Sequence, residues 1–396
     1  MTRFKSKDAF TKKIPFFLQF TIIFLIFFWL HATGWKLLSL SGWKMENDFA
    51  DLNWVVHSAE CYQRIGNEVF TDSALGYCRN NYGSALLATL NLFQVKHTHV
   101  VILGWFFILL ASILISVAAN SFSPKRKLLA CLYLLIFVSP PVMLLLERGN
   151  FDILIMALVF LSAVAFHANK RLTSLVILSL ASVFKFYTLP IVFTILFFIE
   201  KVKFKVLGIL ISFFSTFLIL QDLFRNELAF PDAVSGMFGN QILGTYLSFV
   251  GINLSRISKE ILGVVSLVGV YTLSKKSSHL TKLASLSPIK TGERSSFTLT
   301  LEKFFFATFL CCFFGGVNYD YRLMFLLIPG FLELARLHKY KGDIRFFFPL
   351  LLSVSWCSFN STYLQPVADV AILFLIVHFL RVFQNSLLGS SHTGKV

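Results

Sequence analysis

Residues 100–119 read VVILGWFFILLASILISVAA and carry no charged side chain. Wound as an α-helix, rising about 1.5 Å per residue, the stretch reaches about 30 Å, the thickness of a bilayer's hydrocarbon core. Residues 14–30, IPFFLQFTIIFLIFFWL, are of the same kind. On either side, further apolar runs fill most of the chain, and about twelve spans are expected. They fall at 15–33, 99–119, 128–146, 152–168, 172–186, 188–200, 206–222, 257–274, 304–317, 322–336, 346–359 and 366–382. Those at 172–186, 188–200, 304–317 and 322–336 are short for a full crossing, but short helices persist when tilted or packed inside a bundle. The composition, 56% hydrophobic and 14% charged with 47 Phe, is not that of a soluble domain. The alternating segments of about ten residues that mark an outer-membrane barrel are absent from the sequence. The expected fold is an all-α, polytopic transmembrane helical bundle, with residues 1–396 as a single multi-pass membrane domain.

The formal net charge of +16 admits two explanations. A nucleic-acid-binding face would cluster Lys and Arg on a soluble surface. Here they sit between apolar runs, as the positive-inside rule asks of cytoplasmic segments. With the N-terminus inside, 25 of the 36 Lys and Arg fall on cytoplasmic segments, among them Lys125 to Lys127, Lys170 and Arg171, and Lys201, Lys203 and Lys205. The expectation is a cell (inner or plasma) membrane protein with both termini cytoplasmic and no nucleic-acid partner. The first apolar run is too long for a signal-peptide core and lacks a small-residue cleavage site, so it reads as a signal anchor. Residues 34–97 then form a large first extracytoplasmic loop. Residues 275–303, rich in Ser, Thr and Lys, form a mobile cytoplasmic loop.

The unusual polar residues gather on the outer side. The first outer loop carries Asp48 and Asp51 followed by Trp54. Were that stretch helical, the two acids would share a face. A carboxylate placed there, backed by aromatics, can take a proton from a hydroxyl; ordinary solvated acids are the plainer alternative. Between two apolar runs lies ERGNFD, residues 147–152. Ionisable groups at a membrane boundary are costly when buried, so Arg148, Asn150 and Asp152 point to a polar cavity. A capped turn, with Gly149 just past one helix and Asn150 or Asp152 opening the next, accounts for the same residues except Arg148. Lys185 is suited to meet a phosphate, or to snorkel to the interface. Tyr319, Asp320 and Arg322 form a further polar hairpin, in which the last two can also pair with each other. Cys61 and Cys78 are the cysteines of the outer loop, and an oxidising compartment would permit a disulfide between them. Cys131, Cys311, Cys312 and Cys357 lie in apolar runs and read as core. Without CxxC, HExxH or clustered His no metal is expected, and without a P-loop or a GxGxxG no nucleotide and no cofactor. Any sugar or phosphate donor would then reach the protein through the membrane.

These residues, in this order, resemble a known family. Asp51-Leu-Asn-Trp-Val-Val-His-Ser-Ala-Glu-Cys-Tyr, followed by Gly66-Asn-Glu-Val-Phe70, is similar to the first outer loop of GT-C membrane glycosyltransferases. The match is nearest to the polyprenyl-phosphate-mannose-dependent alpha-mannosyltransferases of glycosyltransferase family 87, the DUF2029 proteins. The second element is Glu147-Arg-Gly-Asn150, a span, a basic turn at 167–171, a span, and Lys185 ahead of Pro190; the third is Tyr319-Asp-Tyr-Arg322 before an apolar run. Where the family has Lys directly before Pro, this chain inserts Phe-Tyr-Thr-Leu. The resemblance implies an inverting, metal-independent transfer of mannose or another hexose from a polyprenyl-phosphate donor to a lipid or glycan acceptor on the extracytoplasmic face. It implies Asp51 as general base with Asp48 as second choice, Lys185, Arg148 and Arg322 on the donor phosphate, and Asn150, Trp54, Asp152, Tyr319 and Asp320 around the substrates. Two other functions fit a polytopic chain. An O-antigen ligase or polymerase usually carries its large loop late in the chain. A transporter or flippase predicts charges at mid-bilayer and an internal repeat.

Overall fold

The computed structural model describes residues 16–36, 48–70, 78, 82–122, 136–225, 237–238, 247, 251–252, 254–276, 296–314, 318–339, 344–356 and 365–391. In chain order these form α1 (Phe16–Ala32), α2 (Ala50–Ile65), α3 (Ser84–Leu92), α4 (Val100–Phe122), α5 (Pro140–Glu147), α6 (Asp152–His167) and α7 (Arg171–Phe184). There follow α8 (Leu189–Leu196), α9 (Val202–Arg225), α10 (Arg256–Lys276), α11 (Ser296–Phe314), α12 (Met324–Lys339), α13 (Ile344–Ser355) and α14 (Gln365–Ser391). Short 3-10 turns occur at Gly66–Phe70, His97–His99, Phe186–Thr188 and Asp320–Leu323. One two-residue ladder joins β1 (Met237–Phe238) to β2 (Asn318–Tyr319) antiparallel, with Met237 opposite Tyr319.

Four helical stretches among the described residues are long and apolar enough to cross a membrane: His97–Val117, Val202–Asp222, Phe297–Phe314 and Pro366–Phe383. Together α5 and α6 qualify as a fifth, though they are bent by 109° across the break between them. The remaining apolar helices are shorter, which is fewer full-length spans than the apolar runs suggest. Of the expected span at 128–146, the described part is a helical pair, Ile136 and Phe137, a turn, and a short helix from Pro140, and residues 128–135 lie outside the described residues. The expected span at 188–200 holds only the 8-residue α8, about 12 Å long at the usual rise. The expected loop at 275–303 is helical at both ends, where α10 and α11 run into it, and 277–295 lie outside the described residues.

Apolar side chains cover the outside as well as the core. On α9, Leu210, Phe213, Phe214 and Phe217 are all exposed, a continuous apolar face of a kind that soluble monomers rarely present. Several hydroxyls on the helices are satisfied within the helix: Ser112 donates to the Ile108 carbonyl, Ser116 to that of Ser112 and Ser212 to that of Gly208. Such bonds leave no polar group asking for water. Where helices approach closely the residues are small. Ser162 of α6 donates to the Ser174 carbonyl of α7 at 2.8 Å and meets its hydroxyl at 2.7 Å. On the other side of the bundle α1 lays Phe28 against Trp105 of α4, with centroids 5.6 Å apart.

The bend between α5 and α6 places the polar cluster, and its chemistry is local. Gly149 donates to the Leu146 carbonyl and Asn150 to the Leu145 carbonyl, each at 3.1 Å, which is the Schellman pattern. Gly149 has φ +60, a left-handed conformation that costs a residue with a Cβ about 1–2 kcal/mol. A Cβ there would also stand 3.1 Å from the Phe49 ring and 3.2 Å from Leu52. Gly149→Ala is therefore expected to lower thermal stability, by about 1–3 kcal/mol, and to loosen the α2–α5 junction. Thermal unfolding of the variant beside the unaltered protein measures it, and equal midpoints would show that the turn tolerates a side chain.

Candidate active site

Helix α2 lies in the polar stretch between α1 and α4, and its N-terminus docks on the C-terminus of α5. The backbone N–H groups of Phe49, Asp51 and Leu52 donate to the carbonyls of Glu147 and Arg148, at 2.7, 3.0 and 3.2 Å. Each helix end thus supplies the partners that the other lacks, with the dipoles head to tail. Phe49, at φ 59 and almost fully buried, anchors the joint. Its ring fills the notch at Gly104 of α4, where a Cβ would lie 2.4 Å from Phe49 Cε2.

This docking delivers Asp51, in the first turn of α2, to the bend. Arg148 Nε donates to Asp51 Oδ1 at 2.8 Å, and Asn150 Nδ2 donates to Asp51 Oδ2. Asn150 also caps α6, its Oδ1 accepting from the Asp152 N–H at 2.9 Å. The two readings of this residue, cap and site, therefore coincide in one side chain. Lys185, the residue that ends α7, reaches back to Asp152 Oδ1 at 2.7 Å and to Asn150 Oδ1 at 3.3 Å. It does not snorkel: it is 8% exposed, with its ammonium 4.5 Å from the Tyr82 ring centroid. Tyr187 donates its hydroxyl to Asp152 Oδ1. Arg322, ahead of α12, brings Nε to 3.2 Å from Asp152 Oδ2.

The cluster sits at one end of the bundle, because α6 begins there, α7 ends there and α12 begins there. Within it the two acids differ. Asp152 is 1% exposed and gathers three side-chain donors; Asp51 is 17% exposed. Three cations, Arg148, Lys185 and Arg322, meet these two carboxylates in the described cluster. Such a site can hold an anion and expose a carboxylate beside it.

Other residues singled out from sequence take other places. Asp48 precedes α2 instead of sharing a face with Asp51, because the helix begins at Ala50; it faces His31 at 3.8 Å and is 47% exposed. Trp54 is half-exposed one turn beyond Asp51. The side chains of Tyr319 and Asp320 lie outside the described residues; their backbone belongs to β2 and the turn after it, next to Arg322. Cys61 and Cys78 form a disulfide with Cα atoms 5.7 Å apart. His57 lies close to both sulfurs, but sulfurs joined to each other are not thiolate ligands.

Tyr82 and Tyr187 belong to the cluster and were not singled out from sequence. Tyr187 lies two residues past Lys185, which was the available signal. Tyr82 had none nearby: its hydroxyl accepts from Asn150 Nδ2 at 3.3 Å because the chain at Gly83 passes tightly over α7. A Cβ on Gly83 would lie 2.9 Å from the Val183 carbonyl oxygen. The adjoining α3 is fixed by Asp222 of α9, whose Oδ2 accepts from the Ser84 N–H at 2.9 Å. No family model, curated protein or solved structure matches this chain.

Proposed function

We propose that the chain is an integral-membrane glycosyltransferase of the GT-C type, moving a hexose from a polyprenyl-phosphate donor to a lipid or glycan acceptor on the extracytoplasmic face. The observation that carries this reading is the meeting of a partly exposed carboxylate, Asp51, with a group of three cations at one end of an apolar bundle. In this reading the donor enters sideways from the bilayer and its phosphate lies against Arg148, Lys185 and Arg322. Asp51 takes the proton of the acceptor hydroxyl, whose oxygen bonds to the anomeric carbon from the face opposite the phosphate. The bond from the anomeric carbon to the phosphate oxygen breaks. Polyprenyl phosphate departs with the electron pair, its charge stabilised by the three cations. A seated donor phosphate also competes with Asp51 for Arg148, so the carboxylate loses its ion-pair partner as the donor arrives. The similarity to family 87 favours mannose as the sugar.

The assay is the purified full chain with a panel of polyprenyl-phosphate sugars, read as released polyprenyl phosphate. Turnover of one member over the others is expected. No turnover across the panel, in protein that is folded and binds donor, would set the reading aside.

The topology that goes with it has about twelve crossings, both termini cytoplasmic, and the Asp51 cluster outside. Lys96 and Lys203 are both exposed. In a background without free thiols, an impermeant outside reagent is expected to label Lys96→Cys and to spare Lys203→Cys. The reverse pattern inverts the topology and removes a site supplied from outside.

A further inference from the structure

At the end of the α6–α7 hairpin away from Asp152 and Lys185, the turn between these helices and the turn before α9 enclose a cavity of about 640 Å³. That is the size of an ordinary small-ligand pocket. Lys170, Arg171 and Lys201 line it, against a single acid, Glu200. Helices α7 and α9 both start at its wall, at Arg171 and Val202, and no side chain caps α7 at Lys170. First-turn N–H groups, which have no partner inside a helix, therefore add to the positive potential. Arg171 is held as a rigid part of the wall: it donates to the Phe166 carbonyl and to Asn169 Oδ1, with its guanidinium 3.7 Å over the Phe166 ring. Lys170 and Lys201 are exposed.

The surroundings are apolar and face outward: Phe197 is 83% exposed and Val202 76%, while Phe198 and Phe204 line the cavity itself. A general excess of lysine on one side of a membrane needs neither a concave wall nor aromatic side chains around it. We infer that the cavity is a binding site for a phosphate ester, that of an anionic phospholipid. The headgroup lies among Lys170, Arg171 and Lys201, and the acyl chains lie along the exposed aromatics. The inference does not rest on the proposed sugar transfer.

The full-length protein in detergent is mixed with phosphatidylglycerol or with phosphatidylcholine and examined by native mass spectrometry. Phosphatidylglycerol is expected to be retained preferentially. Retention should drop roughly thirtyfold in Lys170→Gln/Lys201→Gln, about fivefold per lysine. It should be unchanged in Lys203→Gln/Lys205→Gln, which removes the same charge from residues outside the cavity wall. Displacement of the lipid by millimolar inorganic phosphate would keep a phosphate site and overturn the lipid as its occupant. Equal retention of the two lipids, or equal loss in both double variants, would overturn the site.

Discussion

Asp51→Asn is expected to lower turnover by about 10²–10⁴-fold, the usual contribution of a positioned base, while the protein still inserts and binds donor. The substitution keeps the size of the side chain and leaves Oδ1 able to accept from Arg148 at its present 2.8 Å. What is lost is the charge, the capacity to take up a proton, and the hydrogen bond that Oδ2 accepts from Asn150 Nδ2. Asp48→Asn serves as the comparison. Its carboxylate is 47% exposed beside His31 and outside the cluster, so its turnover should stay near that of the unaltered protein. Loss in Asp48→Asn with near-full activity in Asp51→Asn would exchange the two roles. Near-full activity in both would remove acid–base chemistry from this loop and strengthen the ligase and transporter alternatives.

Lys185→Ala should affect both stability and donor use. Removing one member of a buried ion pair costs about 3–5 kcal/mol, because the partner stays buried with its charge, and Asp152 is only 1% exposed. Tyr187 and Arg322 remain on that carboxylate, which favours the lower end of the range. A double substitution separates the two effects. Lys185→Met/Asp152→Asn removes both charges and should recover much of the stability, since replacing a whole buried pair by neutral groups is often nearly neutral. Arg322 is then left with access to water, being 20% exposed. Donor binding should not recover. If it does, Lys185 serves the fold and the phosphate is held elsewhere.

The helical, membrane-type architecture was legible because an apolar run of sufficient length has few other fates. The run at residues 100–119 lies within α4, and that at 366–382 within α14. Short runs were less informative. Composition alone does not separate a crossing from half of a bent pair, and the 109° between α5 and α6 comes from the cap chemistry of Arg148, Gly149 and Asn150 acting together with the docking of α2. In the site, Asp51, Arg148, Asn150, Asp152, Lys185 and Arg322 could be picked out because charged and amide groups are rare beside apolar runs. Their pairing could not. Asp51 meets Arg148 across 97 residues and Arg322 meets Asp152 across 170, distances over which local sequence rules carry no information. The placement of Tyr82 likewise depends on contacts of Gly83 and Ser84 with α7 and α9. The ladder between Met237–Phe238 and Asn318–Tyr319 has no local signature at all.

The spacing of the partners of Asp152 has a consequence for biogenesis. Lys185 lies 33 residues after Asp152, at the same end of the hairpin made by α6 and α7. The acid and the ammonium can neutralise each other as soon as the ribosome has released that hairpin. The pair cancels the charges of these two residues at the open end of the hairpin, sparing the large cost of burying either ion alone. Arg322 emerges far later, when α6 and α7 are already in place, and joins a carboxylate that its first partner has kept oriented. The polar cluster is therefore completed only when Arg322 joins it, and a nascent chain arrested before Arg322 would hold the Asp152–Lys185 pair without its third partner.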